Sequence, residues 1–264
     1  QDGREIAARK VVVSDLNTTQ TVLDLIGEEH VPPKIAHRAK NILRDRAQLF
    51  WGNFALHELP QYTAAKDNPE IGMCPRLNWG PKDADYFATR HQAELFVKGI
   101  PEKLVAIVAP DSIWDRVRAP EGKHTILIEQ FTAPYRFFSD ADWLRMKKEI
   151  VEIMREQWSW YAPNMTKDNV IAAHITTPMD TKMRNLNMPQ GGWTAEDMIA
   201  SQMGRMRPFP ELANYRLPVK NLYLCSSSAH SGPGIGRGSG YNCFKVIAED
   251  FGLPKIWEQK GRAY

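Results

Sequence analysis

Apolar residues follow two rhythms along this chain, and the change of rhythm divides it into three segments. Near the start, "KVVV" is an unbroken β-branched run, the pattern of a strand buried on both faces. The polar stretch "SDLNTT" follows with side chains suited to capping, and "TVLDLIG" reads as a short apolar helix stopped at Gly27. From about Val31 to Arg207 the pattern differs. "IAHRAKNILRDR" is amphipathic at helical spacing, and "AQLFWGNFALHEL", "KLVAIVAP", "HTILIEQFTAPY" and "VIAAHITTP" predict strands. The Pro, Asp and Gly of "APDSIWDRVRAPEGKH" mark turns between the second and third of these. "DADWLRMKKEIVEIMREQWSWYAP" carries the clearest helical period, with Asp near its start and a Pro stop. "NMPQGGWTAEDM" reads as an irregular, glycine-bearing loop of the kind that lines pockets.

Past "RPFPELANYRLPVK", a proline-rich connector, the first rhythm returns. "NLYLC" is a buried-type strand, and "YNCFKVIAEDFG" is a helix. The fold class expected is therefore α/β (α+β overall): pieces of an α/β layer on either side of an antiparallel sheet with helices on one side. A buried parallel strand needs neighbours, and nothing before "KVVV" can supply them.

Composition narrows the function classes. Of the 264 residues, 43% are hydrophobic and 25% charged, as in ordinary folded soluble domains. The net charge of +3 is spread out, and the basic stretches "HRAKNILRDR" and "MGRMRP" are broken by apolar or acidic residues. They read as solvated helix faces and loops, which argues against nucleic-acid binding. Cys74, Cys225 and Cys243 form no CxxC pair or zinc spacing, which argues against zinc. Cys225 in an apolar run and Cys243 on a predicted helix favour buried thiols in a reducing compartment. No apolar run approaches the roughly 20 residues that span a bilayer, and the first residues lack a signal-peptide core. A cytoplasmic protein without a transmembrane segment is the expectation.

The chemistry-bearing stretch is "SSSAHSGPGIGRGSGYN", Ser226 to Asn242, between the last strand and the last helix. A small-residue turn in that position lets backbone N–H groups and the helix dipole face an anion or an electron-rich ring edge. A tight turn with no ligand satisfies the same residues. No Gly-x-Ser-x-Gly elbow, paired carboxylates or zinc motif competes with it. His57, Tyr62 and His174, from the middle segment, could line a pocket. Trp51, Trp79, Trp158, Trp160 and Trp193 read mainly as core.

"LYLCSSSAHSGPGIGRGSGYNCFKVIAEDFG" resembles the C-terminal signature of phytoene-dehydrogenase-like flavoproteins, within the wider amine-oxidase-type FAD superfamily. "EIAARKVVVSDLNTTQTVLDLIG" resembles the strand by which that family re-enters its FAD domain. "APEGKHTILIEQFTAPY" and "TTPMDTKMRNLNMPQGGW" fit its substrate domain. The resemblance implies residues 1–29 as the returning strand–helix of a Rossmann-like FAD-binding domain. It further implies residues 30–207 as an antiparallel-sheet substrate-binding domain and residues 208–264 as the final strand–loop–helix of the FAD domain. The likeness matches only the C-terminal half of a family member, and no GxGxxG follows a strand here.

What the resemblance implies for the site is specific. Gly234, Ile235 and Gly236 match positions whose backbone approaches the isoalloxazine pyrimidine edge. Ser226, Ser227 and Ser228 match the turn near the ribityl and phosphate groups. Serines stand at 226 and 228 where the family has glycine, Ser231 replaces its proline, and Pro233 a glycine. His230 is either the base that takes a substrate proton as hydride leaves, a flavin-proximal residue, or a structural histidine. Asn242 touches the flavin or caps the last helix, and Arg237 faces an anion or solvent. The implied protein is a subunit or C-terminal portion of an FAD-dependent oxidoreductase removing hydride from an apolar or aromatic substrate. Its FAD is shared with a partner polypeptide that supplies the GxGxxG half. A non-catalytic stabilising subunit and a redox-neutral flavin-dependent isomerase are the alternatives.

Overall fold

The computed structural model describes residues 3–44, 48–233 and 238–259. The chain divides into two compact units, one comprising Gln1–Arg44, Asn187–Pro189 and Thr194–Tyr264, the other Asp45–Leu186 and Gln190–Trp193. Five helices are named here: α1 (Pro33–Lys40), α2 (Gln92–Lys98), α3 (Asp140–Ser159), α4 (Pro178–Arg184) and α5 (Gly238–Asp250). Helices and strands mix in parallel and antiparallel arrangements, as the α/β reading expects.

The second unit is built on a five-stranded antiparallel sheet. Its strands are β2 (Gln48–Leu56), β3 (Leu77–Trp79), β4 (Ala106–Ala109), β5 (His124–Thr132) and β6 (Val170–Thr176), in the order β3-β4-β5-β2-β6. β2 and β5 pair over nine residues, from Gln48 opposite Thr132 to Leu56 opposite His124. Alternation decides which face is dry: Phe50, Phe54, Leu56, Ile126 and Ile128 all lie on the buried side. Gly52 sits on that side between Ile128 and Ile175, and a Cβ there would fall 2.5 Å from the Ile128 side chain.

Helix α3 covers this face. Trp143, Met146, Ile150, Met154 and Trp158 recur at spacings of three and four, which places them on one stripe, and each is fully buried. The helix starts at a capping box in which the Ser139 hydroxyl accepts from the Asp142 N–H and Asp142 accepts from the Ser139 N–H. Trp143 anchors the packing, with Phe50 edge-on at 6.0 Å, Phe138 at 5.6 Å, and its indole N–H donating to the Tyr135 carbonyl at 3.0 Å. The strands and long helix read from the sequence therefore form where their patterns put them.

The first unit carries β1 (Val12–Ser14) and β7 (Leu222–Leu224), paired in parallel with Val12 opposite Leu222 and Ser14 opposite Leu224. A π-helical turn, Gln20–Gly27, follows β1, and α5 follows β7. Val22, Ile35, Ala36, Ala39, Phe209, Leu212, Tyr215, Leu224 and Cys243 form the core.

Two expectations need correction. "KVVV" does not give a strand buried on both faces: the strand is Val12–Ser14, with Val12 51% and Val13 43% exposed. Among the described residues β1 has one strand neighbour, so the sheet is too narrow to be covered on both sides. The membership of the compact units follows particular contacts. α1 joins the first unit because Ile35, Ala36 and Ala39 pack with Val22 and Phe209. Residues 194–207 join it through the Gln202 side chain, which hydrogen-bonds both the N–H and the carbonyl of Leu43. Finally, "MGRMRP" is not a solvated basic loop, because Arg207 is completely buried.

Trp143→Ala should destabilise the second unit by about 3–5 kcal/mol, the cost of a large cavity in a close-packed core. Chemical denaturation followed by circular dichroism checks this.

Candidate functional site

Parallel pairing decides where the chemistry-bearing segments meet. Because β1 and β7 run in the same direction, the residues after Ser14 and those after Leu224 emerge from the same, carboxyl, end of the strand pair. In open α/β layers that end is where ligands bind. The Cys225 N–H donates to the Ser14 carbonyl at 2.9 Å, so the pairing extends to the start of the serine turn.

On the β1 side, the Ser14 and Thr21 hydroxyls bond at 2.7 Å. Asn17 accepts the Gln20 N–H at 3.0 Å, which starts the π-helical turn with one of the capping side chains read in "SDLNTT".

On the β7 side, the Ser226 hydroxyl accepts the Ser228 N–H at 3.1 Å, the Ser226 carbonyl accepts from Ala229 at 2.9 Å, and the Ala229 carbonyl from Gly232 at 2.8 Å. The chain thus winds tightly through consecutive turns. Gly232 has φ +90°, a conformation that costs glycine nothing. Ser226 and Ser228 turn their side chains inward and are fully buried, while Ser227 and His230 are half-buried.

His230 is fixed through its backbone: the Tyr215 hydroxyl donates to its carbonyl at 2.7 Å. The Asn242 side chain, on α5, lies beside the Tyr215 hydroxyl, and burial raises that phenol above its usual range. The His230 Nδ1 is buried without a hydrogen-bond partner. His230 borders a cleft of about 470 Å³ whose other walls are Arg205, Pro210, Ala213, Asn214 and Tyr215. Ser226, Ser227, Ser228, His230 and Asn242 therefore come together in one neighbourhood of the first unit. Gly234, Ile235, Gly236 and Arg237 lie outside the described residues.

The support beneath the turn was not read from the sequence. Arg207 donates from Nε to the Ser227 carbonyl at 2.9 Å, from Nη1 to the Gln202 carbonyl at 3.1 Å, and from Nη2 to the Thr194 carbonyl at 2.9 Å. Longer contacts reach the Asp197 and Glu196 carbonyls, both at 3.4 Å. One buried guanidinium thereby binds the serine turn to the Thr194–Gln202 segment. Glu196 and Asp197, both buried, lie in the loop read as pocket-lining. The only sequence signal was the unusual density of polar residues in a glycine-bearing segment.

In the second unit, Tyr62 accepts from the Trp158 indole at 3.2 Å, and burial pushes its hydroxyl up to about 12. His57 Nδ1 meets Lys123 Nζ at 2.7 Å and borders a cleft of about 410 Å³ with Gln61, Met73 and His124. His174 is exposed on β6. Trp79 and Trp158 are core, Trp51 and Trp193 are half-buried, and Trp160 is 56% exposed.

Cys74, Cys225 and Cys243 are free, and burial pushes the Cys243 thiol up to about 12. No group of three or more His, Cys, Asp or Glu is arranged for a metal ion among the described residues. No helix among them is long and apolar enough to cross a membrane.

The turn lies at the carboxyl ends of two parallel strands, and the chain is similar over most of its length to known proteins. The chain is 30% identical over 259 residues to pyridine nucleotide-disulfide oxidoreductase domain-containing protein 2 of Mus musculus, covering 95% of this chain and 43% of that protein. The protein of the same name from Rattus norvegicus gives the same identity and coverage. A limonene dehydrogenase subunit of Castellaniella defragrans is 23% identical over 260 residues, covering 95% of this chain and 46% of that protein.

A crystal structure of an oxidoreductase from Methanosarcina mazei superposes with a TM-score of 0.47 at 14% identity, covering 93% of this chain and 44% of that one. No family model matches. The relatives are named as an oxidoreductase domain-containing protein and a dehydrogenase subunit, and neither is named a phytoene dehydrogenase. The chain spans less than half the length of these curated relatives.

Tyr215→Phe should lower the stability of the first unit by about 1 kcal/mol, because the His230 carbonyl loses its partner. Urea titration of wild type and variant measures it.

Proposed function

We propose that this chain is part of an FAD-dependent oxidoreductase that removes hydride from an apolar or aromatic substrate, with the flavin held jointly by its serine turn and a GxGxxG-bearing polypeptide from outside these 264 residues. The observation that carries the reading is the strand–serine turn–helix unit with His230 beside an open cleft and its Nδ1 unpartnered. Similarity to proteins named as oxidoreductases, one of them a dehydrogenase subunit, supports the class.

The residues fit a flavin. Ser227 and His230 are the half-buried members of the turn, which lies at the carboxyl ends of parallel strands, where anionic and aromatic cofactors bind. Gly234, Ile235 and Gly236 are proposed to meet the ring, and Ser226–Ser228 to shape the wall by the ribityl and phosphate groups. Asn242, beside the Tyr215 hydroxyl, is proposed to fix the turn from the α5 side. The flavin supplies hydride acceptance. This chain's part is to position it and, through His230, to hold the proton that the substrate releases. The His230 side chain is half-buried at the cleft wall, the position a proton-holding group beside the substrate would take.

We propose that the strands completing this sheet lie outside these 264 residues. β1 has open backbone on one edge and exposed valines on its faces, which is the state of a strand awaiting neighbours. Among the described residues that edge has no strand partner, which supports a sheet completed by further strands.

Substrate added anaerobically should bleach the flavin of the assembled protein. His230→Ala should retain flavin while slowing that bleaching by ~10²-fold or more, the usual contribution of a positioned acid–base group. Intact flavin that no hydride donor bleaches would favour a redox-neutral isomerase or a non-catalytic stabilising subunit. Loss of flavin with unchanged turnover per flavin would make His230 a binding residue.

A further inference from the structure

Beneath the serine turn lie buried polar atoms that neither the turn nor Arg207 uses. Glu196 is 2% exposed, and neither carboxyl oxygen has a well-directed hydrogen bond. The Thr18 hydroxyl from the β1 side and the Ser228 hydroxyl from the β7 side lie beside that carboxyl, and neither is otherwise partnered. All three residues are sealed from solvent, Thr18 and Ser228 completely. The cationic groups that face the carboxyl are Arg207 and Arg44. Arg207 directs its N–H groups to backbone carbonyls, and Arg44 directs Nη2 to the Thr19 hydroxyl and the Ala39 carbonyl. Asp197, next in the chain, is the neighbouring acid.

We propose that Glu196 is the positioning residue of the serine turn: its carboxyl, held as the neutral acid, links the Thr18 and Ser228 hydroxyls across the carboxyl ends of β1 and β7. Donor arithmetic carries this. An ionised carboxylate only accepts and wants several donors, whereas a protonated one offers one O–H and keeps acceptor capacity. Two hydroxyls, each donor and acceptor, complement the neutral form. With Arg207 spent on carbonyls, the ionised form would be a buried charge without a direct pair, which is expensive. Burial accordingly raises the carboxyl's affinity for its proton, against the smaller opposing pull of Thr18, Arg207, Ser228 and Arg44. The enclosure argues against a ligand entering here, so the group acts through the turn it holds. Its bearing on flavin rests on the function proposed above.

Glu196→Gln and Glu196→Ala test this in the full chain, in whatever assembly it forms. A carboxyl that binds its proton more tightly when folded contributes stability that is fully present below its unfolded pKa and is lost as pH rises through the folded value. Glu196→Gln, neutral at every pH, escapes that loss. Its melting temperature relative to wild type should therefore climb between pH 5 and pH 8, by roughly 3 °C or more. A difference that is flat with pH, or one that falls, would mean the carboxylate is ionised against Arg207 and would overturn the proposal. Hydrogen exchange of the amides from 225 to 233 gives the positioning readout. Glu196→Ala should speed it ~10-fold, at constant pH, while Glu196→Gln should leave it near wild type. Equal exchange in wild type and Glu196→Ala would refute the positioning role. Neither measurement needs flavin, so a flavin-free protein would sink the proposed function without touching this test.

Discussion

The candidate site depends on a short parallel pairing, Val12–Ser14 beside Leu222–Leu224. It joins the two ends of the described chain and brings two distant turns to one edge. Three residue pairs are little structure, and a two-stranded sheet is marginal by itself. What sustains it is the core around Val22, Phe209, Leu224 and Cys243. A polar clamp adds to this: Asp250 on α5 takes a bidentate Arg216 pair at 2.8 and 2.7 Å, and the Tyr223 hydroxyl at 2.8 Å. Tyr223 is the middle residue of β7, so the clamp ties the strand to the helix that follows the turn.

Arg207 is the second constraint. Burying a guanidinium completely is tolerated only when its donors are met, and here backbone carbonyls from two segments meet them. The arrangement fixes the Thr194–Gln202 segment against Ser227. It also leaves Glu196 without the direct ion pair that a buried carboxylate would otherwise need.

Much of the fold was legible because it rests on periodicity. The stripe Trp143–Trp158 and the alternation along β2 and β5 are local patterns that burial then follows. The serine turn between a strand and a helix was legible for the same reason. The support of the turn was not. "MGRMRP" has the composition of a surface loop, and only three-dimensional placement shows that Arg207 is enclosed by carbonyls. Glu196 sits in a segment with no period at all, and a buried carboxyl has no sequence signature apart from its partners. The valines of "KVVV" misled in the other direction: their composition suits a central strand, but the described residues give them one neighbour. That mismatch between a central-strand sequence and an edge-strand setting is the physical ground for a sheet completed from outside.

The most direct test of the central claim is the ratio of bound FAD to this chain, measured after purification with and without a GxGxxG-bearing polypeptide co-expressed from a reading frame beside its own. The account predicts a stoichiometric yellow complex in the first case, and a flavin-free or insoluble chain in the second. A soluble monomer of this chain that binds FAD stoichiometrically without any other polypeptide would contradict it.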